Sequence, residues 1–240
     1  MRRSLPLLLT AALALPLASA CDAGTAAETA DRKPAGQASP ATNGIDRLPA
    51  DQILERARKA MLATGSVHIR GRLKDGKDPV YEMDLRVAGS RASAGSLTEP
   101  PGKTLQLIRI RDTVYIKANK KFLTAEAGAD AARVLAGKYM KTTSSSKDFA
   151  DIAALTSLPK IIGELLKPDG AVSKGRLERV NGRLSLPLTD GTGGKLYVSA
   201  EGEPYLVRLD SSATDRLEFL DYNVPVKVTA PPKRLVVNVP

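Results

Sequence analysis

Two blocks of this chain alternate apolar and polar residues with a period of two, and this pattern constrains the fold more than any other feature. The first block lies between residues 67 and 87, where Asp75-Gly76 supplies a turn between two alternating segments. The second block begins at about residue 177 and contains Asn181-Gly182, a pair that favours a two-residue hairpin turn. Successive side chains of a strand point to opposite faces, so both blocks predict antiparallel strands with one solvated face.

One segment of the alternation changes phase. Leu105 and Leu107 set one parity, and Ile108 and Ile110 continue with the other. A β-bulge near Leu107 or Ile108 would explain the shift, because a bulge inserts one extra residue into a strand. Later strands are predicted at residues 195–199, 204–210, 216–222 and 226–229.

Between the two blocks the period lengthens to that of a helix. Residues 125–138 are rich in alanine, and residues 148–155 and 159–167 carry apolar residues at helical spacing. A short helix is also predicted between Pro49 and Thr64, and the run from Thr142 to Lys147 is predicted to be a loop. Strands, a helical insertion and further strands predict an α+β fold, with helices packed on one face of a curved antiparallel sheet.

The N-terminus has the organisation of an export signal. Arg2 and Arg3 precede an apolar run of 16 residues from Leu5 to Ala20, which is shorter than the roughly 20 residues that a membrane-spanning helix needs. Small residues end the run directly before Cys21, the only cysteine of the chain. We therefore expect residues 1–20 to be a lipoprotein signal peptide and Cys21 to carry the lipid. An ordinary cleavage that leaves a free thiol is the alternative.

Composition divides the remainder into a tether and a domain. Residues 21–48 contain almost no large apolar side chain and are predicted to be a flexible tether, whereas residues 49–240 suit a single domain, although two small ones would also fit. Removal of the signal peptide takes away two arginines and lowers the formal charge from +10 to +8. This basic charge favours contact with an anionic membrane surface.

The residue inventory excludes most kinds of catalytic site. His68 is the only histidine, so triads of the Ser-His-Asp type and multi-histidine metal sites have too few members, and alternation predicts that His68 is an exposed spacer. The run Gly191-Thr192-Gly193-Gly194-Lys195 lacks the spacing of a phosphate loop and is predicted to be a hairpin turn. Aromatic residues make up 4% of the chain and tryptophan is missing, which argues against nucleic-acid binding. We expect no enzyme, no cofactor and no metal.

Four segments together resemble the LppX/LprAFG family of actinobacterial lipoproteins. They are Gly65-Ser66-Val67-His68-Ile69, Asp112-Thr113-Val114-Tyr115-Ile116-Lys117, Val198-Ser199-Ala200-Glu201-Gly202-Glu203-Pro204, and Leu220-Asp221-Tyr222-Asn223-Val224-Pro225-Val226 with Pro231-Pro232. The match extends from Ala50 to about Pro232. The resemblance implies a half-barrel of antiparallel strands, helices across its concave face, and a cavity between them for the acyl chains of a lipid or lipoglycan.

Twelve apolar residues are candidates for the lining of that cavity. They are Met83, Leu85, Ile108, Ile110, Val114, Ile116, Ile152, Leu155, Ile161, Ile162, Leu165 and Leu166. The sequence is equally consistent with a filled core at these positions. The leading hypothesis is a carrier of acylated lipid on the outer face of the cell membrane. The alternative is a non-catalytic interaction or sensory lipoprotein with a packed core and an envelope protein as partner.

The lone cysteine generates the first testable prediction. The replacement Cys21→Ala is expected to release a shed or unprocessed form without unfolding the domain, because the tether separates Cys21 from the core. Fractionation into membrane and soluble protein measures the effect. A variant that stays in the membrane fraction with its signal peptide removed would show that lipidation is not the anchor.

Overall fold

The computed structural model describes residues 41–73 and 80–239. The predicted signal peptide, Cys21 with most of the tether, and the Asp75-Gly76 turn lie outside the described residues. Within residues 41–73 and 80–239 there are four α-helices, which in chain order are α1 Ala50–Ala63, α2 Lys120–Leu135, α3 Ala150–Ala154 and α4 Leu158–Leu165. Within the described residues, no helix is both long enough and apolar enough to cross a bilayer.

The described strands form one sheet. In chain order they are β1 Val67–Leu73, β2 Tyr81–Ala88, β3 Ala92–Glu99, β4 Lys103–Ile110, β5 Thr113–Ala118, β6 Tyr139–Thr143, β7 Ser173–Lys174, β8 Glu178–Val180, β9 Arg183–Thr189, β10 Lys195–Ser199, β11 Leu206–Asp210, β12 Arg216–Leu220 and β13 Val236–Asn238. The spatial order is β13-β6-β5-β4-β3-β2-β1-β12-β11-β10-β9-β7, with β8 also paired to β9. Only the β13–β6 pair is parallel among these strands. Because β13 and β7 are different edges, the sheet is open.

Burial distinguishes the two faces of the sheet. In β2, Met83, Leu85 and Val87 are buried, and the residues between them are exposed. The buried set joins a single core cluster with α1 and α4, in which Ile53, Met61 and Ile162 are almost completely buried. We call the face that packs against the helices the inner face and the other the outer face. This arrangement confirms the predicted α+β fold with helices on the concave face of a curved, half-barrel sheet.

Two glycines allow neighbouring strands to approach closely. A Cβ on Gly71 of β1 would lie 2.0 Å from the main-chain oxygen of Arg216, and a Cβ on Gly95 of β3 would lie 2.0 Å from that of Asp84. Both glycines have positive φ angles, 146° and 157°, which other residues rarely adopt. Glycines at such positions permit the sharp local coiling that an open sheet needs to curve around a helical layer.

The predicted bulge in β4 is wrong. The register of β4 with β3 and with β5 is continuous from Leu105 to Ile110. Arg109, not an isoleucine, takes the third buried position after Leu105 and Leu107. Ile108 and Ile110 therefore lie on the outer face, and their predicted place in the cavity lining is wrong. The apolar pattern gave a wrong prediction because the inward position of this strand segment is occupied by a buried arginine, Arg109.

Other boundaries also differ from the sequence-based expectations. The middle segment contains β6, a strand that was not predicted; its last two residues were expected in a loop, and its pairing with β5 and β13 explains the strand. Residues 226–229 form no strand, and the last strand is β13 instead. Folded structure begins before residue 49, since Ile45 is buried and the main chain of Asn43 donates to the carbonyl of Ala200 at 2.8 Å. The Asn181-Gly182 hairpin turn is confirmed, with positive φ at both residues between β8 and β9.

The glycine at the centre of β1 generates a prediction about stability. The replacement Gly71→Ala is expected to lower the free energy of unfolding by roughly 2–3 kcal/mol, because its Cβ meets backbone that cannot move aside. Gly163→Ala in α4 is the control, since a Cβ there meets nothing within 4 Å and alanine favours helix by roughly 0.5–1 kcal/mol. Thermal unfolding of both variants measures the difference. Equal melting temperatures would show that β1 and β12 can separate without cost.

Candidate functional site

The half-barrel has two ends, and an apolar cleft lies at one of them. The end that carries the β9–β10 turn, residues 190–194, is called the cleft end. The other end carries the β4–β5 turn, residues 111–112, and is called the opposite end. Strand registers place the first residues of β4, β10 and β12 at the cleft end and their last residues at the opposite end.

The cleft lies between α1, the end of α4 and the ends of three strands. Its volume is about 180 Å³. The apolar part of the lining consists of Leu54, Leu165, Leu166, Pro168, Val172, Leu188, Leu196 and Leu209. The remaining lining residues, at the rim, are Lys167, Thr189, Asp190, Thr192, Gly194 and Ser211. A mostly apolar concavity with a few polar groups at its edge is the usual form of a small-molecule site.

Local structure explains why these leucines meet. The helix α4 ends just before Pro168, and Arg58 of α1 donates a hydrogen bond to the carbonyl of Leu166, which fixes the end of α4 beside α1. The short strand β7 pairs with the end of β9 and places Val172 nearby. Lys174 secures this corner, because its ammonium group donates to the carbonyls of Asp46 and Leu48, each at 2.7 Å.

The rim contains a well-ordered carboxylate. The Oδ1 atom of Asp190 accepts hydrogen bonds from the hydroxyl of Thr192 at 2.7 Å and from its main-chain N–H at 3.1 Å. The Oδ2 atom accepts from the N–H of Asp169 at 3.1 Å. These hydrogen bonds, that of the Thr192 side chain first, lower the pKa of Asp190. The rim therefore offers a carboxylate and the exposed ammonium group of Lys167 to a polar headgroup.

Of the twelve predicted lining residues, Leu165 and Leu166 line the cleft. Eight others belong to or pack against the core cluster elsewhere: Met83, Leu85, Val114, Ile116, Ile152, Leu155, Ile161 and Ile162. These eight residues therefore contribute to the core cluster and not to the lining of the cleft. Ligand contact by any of these residues stays a prediction.

Sequence reasoning did not find the contribution of the second strand block to the cleft. Leu188, Leu196 and Leu209 share the inner face, and their alternation signals a buried face. They border an opening because two irregular segments lie close together there, the Pro168-Asp169-Gly170 segment and the glycine-rich turn before Lys195. The glycine-rich segment was predicted to be a hairpin turn, but its proximity to the Pro168-Asp169-Gly170 segment depends on the tertiary fold.

His68 is buried, contrary to the prediction of an exposed spacer. It is 5% exposed on the outer face, where its Nε2 lies 2.8 Å from Asp84 Oδ1 and its Nδ1 lies 3.2 Å from Asp221 Oδ2. Arg86 lies 3.7 Å from Asp84 and 3.9 Å from Asp221, so the two carboxylates also share a cation. The imidazole thereby connects β1 and β2 to the chain that follows β12. No nucleophile is hydrogen-bonded to it within the described part of the chain.

Comparisons with known proteins place the fold. The chain shares the fold of LprF from Mycobacterium bovis, with a TM-score of 0.51 and 15% sequence identity over 76% of this chain and 96% of that one. A LolA superfamily protein from Nitrosomonas europaea gives a TM-score of 0.26 at 13% identity, covering 78% and 96% of the two chains. MucB in the Pseudomonas aeruginosa MucA/MucB complex gives 0.32 at 16% identity, covering 77% and 59%. No family model and no curated protein match the sequence.

The first comparison confirms, at the level of fold, the resemblance to the LppX/LprAFG family. At 15% identity it establishes nothing about ligand or activity, and the TM-scores of the other two are too low to support an argument. Within the part of the chain that the structure describes, no group of three or more histidine, cysteine, aspartate or glutamate side chains is placed to hold a metal ion.

Two apolar residues of α4, Ile162 and Leu165, differ in their distance from the cleft and are expected to respond differently to enlargement. Ile162 is 0% exposed in packed core, so Ile162→Phe is expected to lower stability by about 1–3 kcal/mol through overpacking. Leu165 borders open space, so in Leu165→Trp the larger ring fills the cleft and stability is expected to hold or rise. Melting temperatures of the ligand-free variants measure both effects. Equal destabilisation by the two changes would mean that the cleft closes in solution.

Proposed function

We propose that this protein is a non-catalytic lipoprotein that binds an acyl chain of a lipid or lipoglycan in the cleft, and carries or presents it on the outer face of the cytoplasmic membrane. One observation carries the proposal: an apolar cleft with a polar rim opens at one end of the half-barrel, beside the core cluster of the inner face. The rim would face the headgroup, and the leucine lining would face the chain.

Burial of methylene groups supplies enough free energy for such binding. Each buried methylene contributes ~0.8 kcal/mol, so even a partly sheltered chain binds without a catalytic or metal group. The cleft is smaller than the roughly 300–1,000 Å³ of ordinary ligand sites and comparable to apolar cavities of about 150 Å³ that hold benzene. In its present form it therefore takes a short apolar segment.

A longer chain would require the end of α4 to move away from α1. The groups that hold α4 there are the Arg58 hydrogen bond to Leu166 and the apolar contacts of Leu165 and Leu166 with the core. Pro168, two residues after the C-cap residue Leu166, cannot extend the helix. We propose that ligand entry displaces this last turn of α4, while Leu158 and Ile162 stay in the core.

The proposed anchor is compatible with access to the bilayer. Asn43 is fixed at the opposite end, where its side-chain amide donates to the carbonyl oxygens of Ser199 at 3.1 Å and Gly202 at 2.8 Å. The 21 residues between Cys21 and Asn43 span at most about 80 Å when extended. A tether of that reach lets the cleft approach the membrane although the domain is attached at its other end.

A second function is favoured by the filled inner face. A protein-interaction or sensory lipoprotein would need no ligand space, and its basic surface would hold an envelope partner. The packed core over most of the inner face agrees with this alternative. The two hypotheses differ in whether delipidated protein binds an acyl probe.

Binding of fluorescent acyl probes to delipidated protein tests the proposal. Saturable binding is expected, and Leu165→Trp is expected to weaken it tenfold or more, since exclusion of ~2 methylenes at ~0.8 kcal/mol each has about that effect. The control is Leu62→Trp, which makes the same chemical change at an exposed position of α1 outside the cleft lining.

Two outcomes would contradict the proposal that the cleft binds an acyl chain. Equal affinity of the two tryptophan variants would place the ligand outside the cleft. No saturable binding by wild-type protein, together with no lipid in mass spectra of extracts from the purified protein, would favour the interaction hypothesis.

A further inference from the structure

A buried guanidinium group lies on the inner face at the opposite end. Arg109 is 6% exposed, and its Nε donates to the main-chain carbonyl of Arg111 at 2.7 Å. Its Nη1 lies 3.5 Å from the hydroxyl of Thr156. Among residues 41–73 and 80–239, no carboxylate lies within 4.0 Å of this guanidinium. The charge is therefore buried with neutral partners.

Burial of an unpaired cation is unfavourable, and arginine cannot relieve it by losing its proton. Burial lowers the pKa of Arg109, and Asp112 in the adjacent turn opposes the shift without forming an ion pair. Buried charges in proteins are normally paired. The absence of a counter-ion within this part of the protein indicates that one is supplied from outside.

An unpartnered hydroxyl lies beside this cation. Ser93 of β3 is directly opposite Arg109 of β4 in the strand register, and both occupy buried positions on the inner face. Ser93 is 0% exposed, and its Oγ has no hydrogen-bond partner within the structure. A buried donor without an acceptor costs free energy, which an incoming acceptor would recover.

The N-terminus of α4 adds positive potential at the same place. Thr156, which contacts Arg109, directly precedes Ser157, the N-cap residue of α4. The Ser157 side chain does not cap the helix and instead lies 3.0 Å from the hydroxyl of Ser90. A helix N-terminus carries about half a positive charge, so its proximity to a guanidinium is repulsive unless an anion lies between them.

We propose that Arg109 and Ser93, next to the N-terminus of α4, form a binding site for one oxyanion, a phosphate or a carboxylate. Guanidinium groups bind such anions through two parallel hydrogen bonds, and a serine hydroxyl is a further donor. The site lies close to the end of the sheet: Arg109 is the second-last residue of β4, and the following turn, residues 111–112, is exposed. It lies at the end away from the cleft and does not depend on lipid binding there.

Calorimetric titration of the full chain with inorganic phosphate tests the site, at constant ionic strength set with sodium chloride. Saturable binding is expected for wild-type protein, with a parallel rise in melting temperature. Arg109→Met keeps the length of the side chain and is expected to weaken phosphate binding about tenfold or more, the usual effect of losing a charged hydrogen-bond pair. Arg91→Met, an equal change of charge at an exposed turn of the same end, is the control and should bind like wild type.

Two results would overturn the proposal. The first is that wild-type protein fails to bind phosphate saturably, a result that needs no variant for its interpretation. Equal weakening of phosphate binding by Arg91→Met and Arg109→Met would show that the loss of affinity comes from the change in net charge and not from a site at Arg109. If Arg109→Met does not fold, Ser93→Ala keeps the cation and removes the hydroxyl, and unchanged phosphate affinity in that variant would exclude the site as described.

The source of the oxyanion follows from a second pair of probes. Dihexanoyl phosphatidic acid presents the same phosphate on a short lipid, and dihexanoyl phosphatidylcholine masks it with a choline group. Tighter binding of the phosphatidic acid than of inorganic phosphate, lost in Arg109→Met, would identify a lipid headgroup. Equal affinities would identify a free anion.

Discussion

The structure depends on one requirement, that an open antiparallel sheet must cover its apolar inner face. Hydrophobic burial of that face against α1 and α4 is the dominant favourable term. In β2, by contrast, the outward positions Glu82, Asp84 and Arg86 are exposed charged residues. The same requirement makes the sheet curve, because a flat sheet would leave part of the face exposed. Gly71 and Gly95 permit the curvature by allowing neighbouring backbones to approach more closely than any side chain would.

The departures from this requirement mark the places where function is expected. At the cleft end the helical layer stops short of the strand ends, and apolar side chains border open space instead of one another. At the opposite end the inner face carries a cation, Arg109, where apolar packing would be more favourable. The apolar cleft and the buried cation lie at separate ends of the sheet, and the two proposals rest on them.

The alternation of the sequence predicted most of the strands and the helical layer, because a period of two with one apolar face has few other solutions. Prediction failed where one side chain broke the pattern for a tertiary reason. Arg109 took an inward position and left Ile108 and Ile110 outside, and His68 was buried by carboxylates from β2 and from the chain after β12. Of the predicted cavity residues, Leu165 and Leu166 reached the cleft, since its other walls come from strands distant in sequence.

The sequence by itself determined the α+β class, most of the strands and helices, the Asn181-Gly182 hairpin and the scarcity of catalytic groups. These follow from local periodicity, turn chemistry and residue inventory, which act over a few residues. The tertiary structure alone decided which part of the inner face is filled and which is open. The volume between a helical layer and a curved sheet depends on how side chains from many segments pack together, so it cannot be predicted from a pattern within one segment.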